Sequence, residues 1–422
     1  MEVFVLNKKK NFLISCMLVF TMSVTGCAGV PQDLTDEYSN EVYDHMTDPM
    51  NEKLKKSYLN FSWDFFKQSS EKPGNIMVSP LSVYTALSMT QNGACGQTKT
   101  DMKNTLKAGG ISEDELNKGL KEWMNDLNSN VESIDLTVAN SIWYRKGFEA
   151  DEEFLQKNGD YYSASLKSLD FNDKKAPDTI NEWVKDATNG TIDKIIDQIN
   201  DDIMICLINA VYFKGDWKDP FSSNNTYKQV FNSSEKTENI DFMHRRGDMS
   251  YLSSDGTEGV LLPYVGEKFA LVALLPPEGE TPREMINNFS ANKIWKLIKN
   301  KENKTINLSI PKFESNYEDS LIEELSNMGM KTAFDPNNAD FSLMQKSRNK
   351  DLCISDVKHK TFIKVDEKGT EASAVTSIGI GATSAPMQIQ ELTFDRPFVY
   401  GIVDLENGLP LFIGIIENPN EN

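Results

Sequence analysis

The 422-residue chain is predicted to fold as an α+β protein, and three observations lead there. Amphipathic helices and apolar strands follow one another without the regular strand–helix–strand alternation of a parallel sheet. Residues 203–213 (IMICLINAVYF) are almost wholly apolar, which is the composition of a central strand buried on both faces. Residues 367–396 (EKGTEASAVTSIGIGATSAPMQIQELTFDR) carry no charge between Ala372 and Gln390, although 25% of the chain is charged. That third stretch is competent to be either a loop or a strand.

The chain opens on a targeting pattern. Lys8, Lys9 and Lys10 form a basic region, and residues 12–24 form an apolar run too short to span a bilayer comfortably. Val24-Thr25-Gly26-Cys27 places small residues directly before a cysteine, in the manner of a bacterial lipobox. Cleavage there would make residues 1–26 a signal peptide. Acyl chains on Cys27 would then anchor the protein to the outer face of the cell membrane. An ordinary signal peptide with an incidental cysteine is the plainer reading. Residues 27–50 are polar and acidic and read as a tether; residues 51–422 form the folded body. The formal charge is −19, and losing three lysines and Glu2 with the signal takes it to −21. With no basic patch, nucleic acid is excluded as a partner.

Within the body, Leu54, Tyr58, Phe61 and Phe65 recur at helical spacing. Ser79-Pro80 starts a second helix after a short strand, with serine as N-cap and proline next. Residues 113–130 and 179–187 are helical, and 136–144 (LTVANSIWY) is a strand. Asn209 is the polar exception in the apolar strand 203–213, and an amide there must be hydrogen-bonded. Residues 222–238 are polar, a loop or an edge region. Strands follow at 259–262, 269–275, 306–311 and 361–365, with helical patches at 294–298 and 321–328.

The 361–365 strand feeds directly into the uncharged stretch. Split by the two-residue period of a strand, one face is Thr370, Ala372, Ala374, Thr376, Ile378 and Ile380. The other is Glu371, Ser373, Val375, Ser377, Gly379 and Gly381. The first face could enter a core. By composition the stretch could be a linker between domains. Only 26 residues follow Arg396, however, and they are strand-like, so it lies inside one folded unit. A long loop in a compact domain is usually functional.

Enzyme signatures are absent: no HExxH, CxxC pair, GxGxxG or phosphate loop occurs. Cys206 and His359 could form a catalytic pair, but a thiol in a buried apolar strand is usually inert. Of five cysteines, Cys16 would leave with the signal and Cys27 take lipid, and the scattered Cys95, Cys206 and Cys353 make neither a disulfide framework nor a metal motif. No metal and no cofactor are expected, and the chain does not read as an enzyme.

Several segments in order resemble the serpin family of protease inhibitors. They are Asn75-Ile76-Met77-Val78-Ser79-Pro80-Leu81-Ser82; residues 207–217 (LINAVYFKGDW) with Phe221; Leu262-Pro263-Tyr264; Ile310-Pro311-Lys312-Phe313; Asp340-Phe341-Ser342; residues 359–372; Phe394-Asp395-Arg396-Pro397-Phe398; Leu411-Phe412-Ile413-Gly414; and Asn418-Pro419. The resemblance implies three β-sheets, about eight or nine helices and an exposed reactive-centre loop. It makes Glu367, Gly369, Thr370, Glu371, Ala372, Ser373 and Ala374 the loop hinge, with serine at 373 where alanine is common. It makes Ser79, Ser82, Asn209 and His359 a polar cluster beneath the opening sheet, and places Trp217 where the loop first enters. Counting from Glu367 puts the reactive bond at Thr383-Ser384, although a shorter distal segment would move it as far as Met387-Gln388. The implied activity is suicide inhibition of a serine endopeptidase. The loop is cut, an acyl-enzyme forms, and the loop enters the central sheet as a strand. The small neutral Thr383 suits an elastase-like or subtilisin-like protease, and the protein is expected to be a monomer. A non-inhibitory serpin acting as a binding or chaperone module, and a lipid-anchored solute-binding protein, are the competing readings.

Overall fold

Strand β6 (Ile203–Asp216) is the hub of the architecture. Its Ile205, Leu207 and Phe213 enter the main core, while Cys206 and Ile208 enter a second apolar cluster beneath helix α7 (Ala176–Ala187). A strand covered on both faces has no solvent side, which is why its sequence lacks alternation. The computed structural model describes residues 1–7, 31–38, 50–128, 133–370 and 389–421.

The sheet built on β6 runs β12 (Phe313–Ser320), β13 (Leu352–Val365), β6, β4 (Ile134–Arg145), β5 (Ser165–Leu169), β2 (Gln32–Asp33). Two short strands share the slot between β13 and β6. β14 (Gly369–Thr370) lies at one end and β1 (Glu2–Asn7) at the other, and each pairs antiparallel with both walls.

The second sheet runs β15 (Gln390–Thr393), β11 (Glu302–Pro311), β8 (Thr237–Ser254), β9 (Thr257–Pro263), β10 (Phe269–Leu275), β16 (Phe398–Asp404), β17 (Leu409–Ile416), β3 (Ile76–Val78), with β7 (Thr226–Asn232) on β8. The 18-residue β8 pairs with β7 over its first residues, with β11 from Phe242 to Tyr251 and with β9 over its last residues. It thereby joins two groups of strands into one hydrogen-bonded path, so that the described residues pair into two sheets.

Helix α1 (Thr35–Tyr38) precedes α2 (Glu52–Ser69), whose first N–H groups are capped by the Asn51 carboxamide. The stripe Leu54, Tyr58, Phe61, Phe65 is fully buried. Helix α3 (Pro80–Gln91) is buried at all twelve positions. Its small and hydroxylated residues suit such a site, because Ser88 and Thr90 return their hydroxyls to the helix's own carbonyls. Helices α4 (Gly96–Thr105), α5 (Glu113–Leu127) and α6 (Glu152–Tyr162) flank it, and α8 (Pro282–Asn288) and α9 (Ala291–Lys299) cover the second sheet. Among the described residues no helix is long and apolar enough to cross a membrane.

The structure departs from the sequence reading in two places and refines it in two others. Strand β13 begins at Leu352 rather than 361, because its outward residues are polar and mask the pattern. The polar stretch 222–238 contains an edge strand, β7, paired on one side only. The helix expected over 321–328 is α-helical over Ile322–Leu325 and continues as a π-helical turn over Ser326–Met330, with the kink at Gly329, whose φ is 115°. Finally, two segments assigned by sequence to a leader and a tether pack on the body here. Glu2–Asn7 is strand β1, and Gln32–Asp33 extends the sheet edge by pairing with β5. A gap between two strands exposes unpaired N–H and C=O groups, and an extended apolar segment satisfies them. Cys27, the expected lipid site, lies outside the described residues.

Candidate functional site

The hinge of the uncharged stretch is held by backbone. Gly369 pairs with Asp216 and Thr370 with Gly215 on β6, and Thr370 pairs with Val365 on β13. A Cβ at Gly369 would stand 2.0 Å from the Gly215 carbonyl oxygen and 2.9 Å from Asp216 Cα, so only glycine allows the chain this close. The Thr370 hydroxyl is buried against the Tyr264 phenol at 2.7 Å. Tyr264 in turn stacks on Trp217 with centroids 4.6 Å apart. Trp217 reads the hinge turn with two donors: its indole N–H donates to Asp366 O at 2.9 Å and its backbone N–H to Lys368 O at 2.8 Å.

Glu367 opens the hinge. Its carboxylate accepts from Lys312 Nζ at 2.9 Å and from the Thr226 hydroxyl at 2.8 Å. Burial works to raise its pKa, but the Lys312 contact and the surrounding donors outweigh it, and the carboxyl lies below its ordinary range. The charge of Glu367 is therefore secured on the second sheet's side of the hinge.

Deeper in the slot lies the polar cluster. Ser79 N–H donates to His359 Nε2 at 3.0 Å, and the Ser79 hydroxyl donates to Leu411 O at 2.9 Å while accepting from Ser82 N–H at 3.2 Å. Asn209 donates to Asn140 Oδ1 at 2.7 Å, and Asn140 donates to Tyr162 O at 2.8 Å. Met1 completes the set: its amine donates to Asn209 O, and its carbonyl accepts from Asn209 N–H at 2.6 Å. His359 Nδ1 and Asn209 Oδ1 are buried without a hydrogen-bond partner. Burial, reinforced by the nearby N-terminal ammonium, holds the His359 pKa well below the ordinary histidine value.

A prediction follows for acid. An unfolded histidine takes up its proton near pH ~6.5, while buried His359 stays neutral to lower pH. Acid therefore favours the unfolded chain. The His359 contribution is intact above that pH and erodes as pH falls below it. His359→Ala, which strands the buried Ser79 N–H, should cost about 1–3 kcal/mol at neutral pH. The variant should also lose less stability than the parent between pH about 7.5 and about 5.5, read by denaturant unfolding. An unchanged pH slope would contradict this account.

The candidate residues thus fall into two groups. Ser79, Ser82, His359 and Asn209 line the middle of the slot, and Glu367, Gly369, Thr370 and Trp217 form its entrance. Glu371, Ala372, Ser373, Ala374, Thr383 and Ser384 lie outside the described residues. Sequence reading missed Tyr264, Lys312, Asn140 and Gly215 as supports. Tyr264 and Lys312 stand in short segments already noted, but only the fold shows what they touch. Among the described residues no three His, Cys, Asp or Glu side chains converge on a common point, and Cys95, Cys206 and Cys353 form no disulfide.

The loop's two ends lie in different sheets. β14 sits in the slot and β15 runs parallel to β11 in the second sheet, with residues 371–389 between them. Two residues at the head of the uncharged stretch are thus already held as a strand between β6 and β13. The family model described as "Serpin (serine protease inhibitor)" matches residues 56–419. An uncharacterized serpin-like protein of Thermococcus kodakarensis is 32% identical over 98% of this chain and all of its own length. The leukocyte elastase inhibitor of Homo sapiens is 30% identical over 87% of this chain and all of its own. The crystal structure of a thermophilic serpin, tengpin, in the native state superposes with a TM-score of 0.84 at 36% identity, covering 92% of this chain and 99% of that one. The chain belongs to the serpin family.

Proposed function

We propose that this serpin inhibits a serine endopeptidase as a suicide substrate, with residues 371–383 as the strand that springs the trap. The observation that carries the reading is β14: two loop residues already lie in register between β13 and β6. Each further residue advances one rung along both walls. Thr376 falls opposite Asn209 on β6 and His359 on β13, each of which carries an unpartnered buried side-chain atom. A threonine hydroxyl can donate to one and accept from the other once that histidine carries its proton on Nδ1. The face Thr370, Ala372, Ala374, Thr376, Ile378, Ile380 continues the buried side of Thr370.

The same register supports the bond. β6 has 14 residues, and rung by rung they take the loop from 369 to 382. The 14 residues of β13 take it from 370 to 383. The walls therefore end where Thr383-Ser384 would be cut. In the chemistry, the protease serine oxygen attacks the Thr383 carbonyl and the Ser384 amine leaves, giving an acyl-enzyme. The freed strand then zips down the slot over roughly 46 Å, at about 3.3 Å per residue. The acylated protease is carried to the far end before water can release it. The neutral Thr383 favours an elastase-like or subtilisin-like target, and Cys27 would hold the inhibitor on the outer membrane face.

The test is incubation of the chain from Cys27 onward, with that cysteine changed to serine, with subtilisin and with elastase. An SDS-stable complex is expected, with a released peptide beginning at Ser384 and a raised melting temperature of the cleaved protein. Clean cleavage with no complex and no thermal gain would instead identify a non-inhibitory binding module. A peptide beginning at Gln388 would move the bond.

A further inference from the structure

The slot that the reactive loop needs is occupied at its far end by the chain's own N-terminus. Glu2 pairs with Ile208 on β6 and Lys358 on β13, the two partners that the loop register assigns to Ser377. Val3 and Phe4 then take the rungs of Ile378 and Gly379. Val5 pairs with Ile205, the rung of Ile380 on β6. Both walls shift register at β1, and Asn7 ends opposite Leu352, the last rung of β13.

The side chains match as well as the backbone. Val3 and Val5 are fully buried in the main core, on the side that Ile378 and Ile380 would fill. Phe4 points to the opposite face and joins Trp143, Ile180, Val184 and Cys206 in the cluster beneath α7. The loop has only Gly379 to offer there. For this half of the slot the N-terminus is thus the better-packing strand. It also caps the polar cluster, since Met1 exchanges both backbone hydrogen bonds with Asn209.

We propose that residues 1–7 act as an internal plug, a strand in cis that holds the insertion slot so that most full-length molecules are cut by their target without trapping it. Removal of the N-terminal segment is then the step that arms the inhibitor. The plug and the inserted loop cannot coexist, because both use the same hydrogen-bonding groups of β6 and β13. The entrance stays open to the hinge, so a plugged chain still presents the loop as a substrate. This proposal rests on the insertion reading above.

The experiment uses the full 422-residue chain in three forms: unaltered, Val3→Glu/Val5→Glu, and Phe4→Cys. Phe4 lies opposite native Cys206 across the strand pair and in the same apolar cluster, so oxidised glutathione should close a Phe4→Cys crosslink to Cys206 and lock the plug in. Hydrogen exchange of the Val3–Val5 amides in the unaltered chain reports docking without any substitution. Protected amides are expected, with no SDS-stable subtilisin complex from the oxidised Phe4→Cys chain. The Val3→Glu/Val5→Glu chain should give about tenfold more complex than the unaltered one, as expected when a plug holds nine-tenths of the molecules. Amides that exchange like a free peptide, or a locked chain that traps as well as the double variant, would overturn the proposal. A double variant whose β1 amides exchange freely, yet which is still only cleaved, would defeat the insertion reading itself, and the plug with it.

Discussion

On the proposed mechanism, Thr376→Arg is expected to leave a chain that its protease cuts without being trapped. At its rung the inserted strand meets Asn209 and His359, both fully buried, and neither can neutralise a guanidinium. An unpaired buried charge costs several kcal/mol, and each ~1.4 kcal/mol is tenfold in rate. Insertion should therefore slow by about a hundredfold or more, while the protease still cuts the proposed reactive bond. The outer-face control is Ser373→Arg. Its rung partners are Tyr212 and Phe362, and Phe362 is only half-buried on the solvent side of β13. That variant should keep trapping within about threefold, because a surface substitution away from special contacts usually costs under ~0.5 kcal/mol. The measurement is the number of inhibitor molecules consumed per protease trapped, on the chain from Cys27 onward. Equal damage from both substitutions would mean that the two-residue period does not govern insertion.

Gly369→Val should have the second-largest effect, and it acts on the starting structure rather than on the trap. Even a Cβ at this position meets the Gly215 carbonyl oxygen at 2.0 Å and the Gly215 carbonyl carbon at 2.9 Å, which are backbone atoms with no rotamer to change. The hinge must withdraw, breaking the pairing of Gly369 with Asp216 and Thr370 with Gly215. It also pulls Thr370 from Tyr264. Forced overpacking of this kind costs about 1–3 kcal/mol. The expected result is a lower melting temperature of the uncleaved chain together with loss of trapping. Gly215→Ala is milder, because its added carbon meets the movable ends of Ile134 and Tyr264 at 2.8 and 2.9 Å. Should Gly369→Val trap normally, β14 would not be the point from which the loop enters.

Much of this site is visible along the chain. The alternation from Thr370 to Ile380 needs no structure to be read, because a strand's side chains change face at every residue. Asn209 also announces itself, since an amide inside IMICLINAVYF has to find partners. Its partners could not be read. Asn140 lies 69 residues earlier and Met1 208 residues earlier, and nothing local in either segment points to the other. The hinge supports are hidden in the same way. Tyr264, Lys312 and Thr226 are ordinary residues until the fold brings them to Thr370 and Glu367.

The N-terminus shows how one segment can carry two readings. MEVFVLN is followed by a basic run, an apolar run and a cysteine, the order of a leader, and those properties depend only on sequence. Its strand character is equally local, with valines at positions 3 and 5. Whether a strand former finds a strand to join is decided by the body, which offers one slot with two unsatisfied walls.

What the sequence by itself determined is therefore periodic and compositional. The α+β class, the buried central strand, the uncharged loop with one insertable face and the family's ordered segments all follow from residues close together in the chain. The tertiary structure decided register. It alone sets Gly369 against Asp216 and Thr370 against Val365, and seats Val3 between Leu207 and Val357; the proposed insertion extends that pairing to Thr376 opposite His359 and Asn209. Register is a long-range property. It is set by strands contributed from positions 203–216 and 352–365, whose relative placement is established only when the whole core packs.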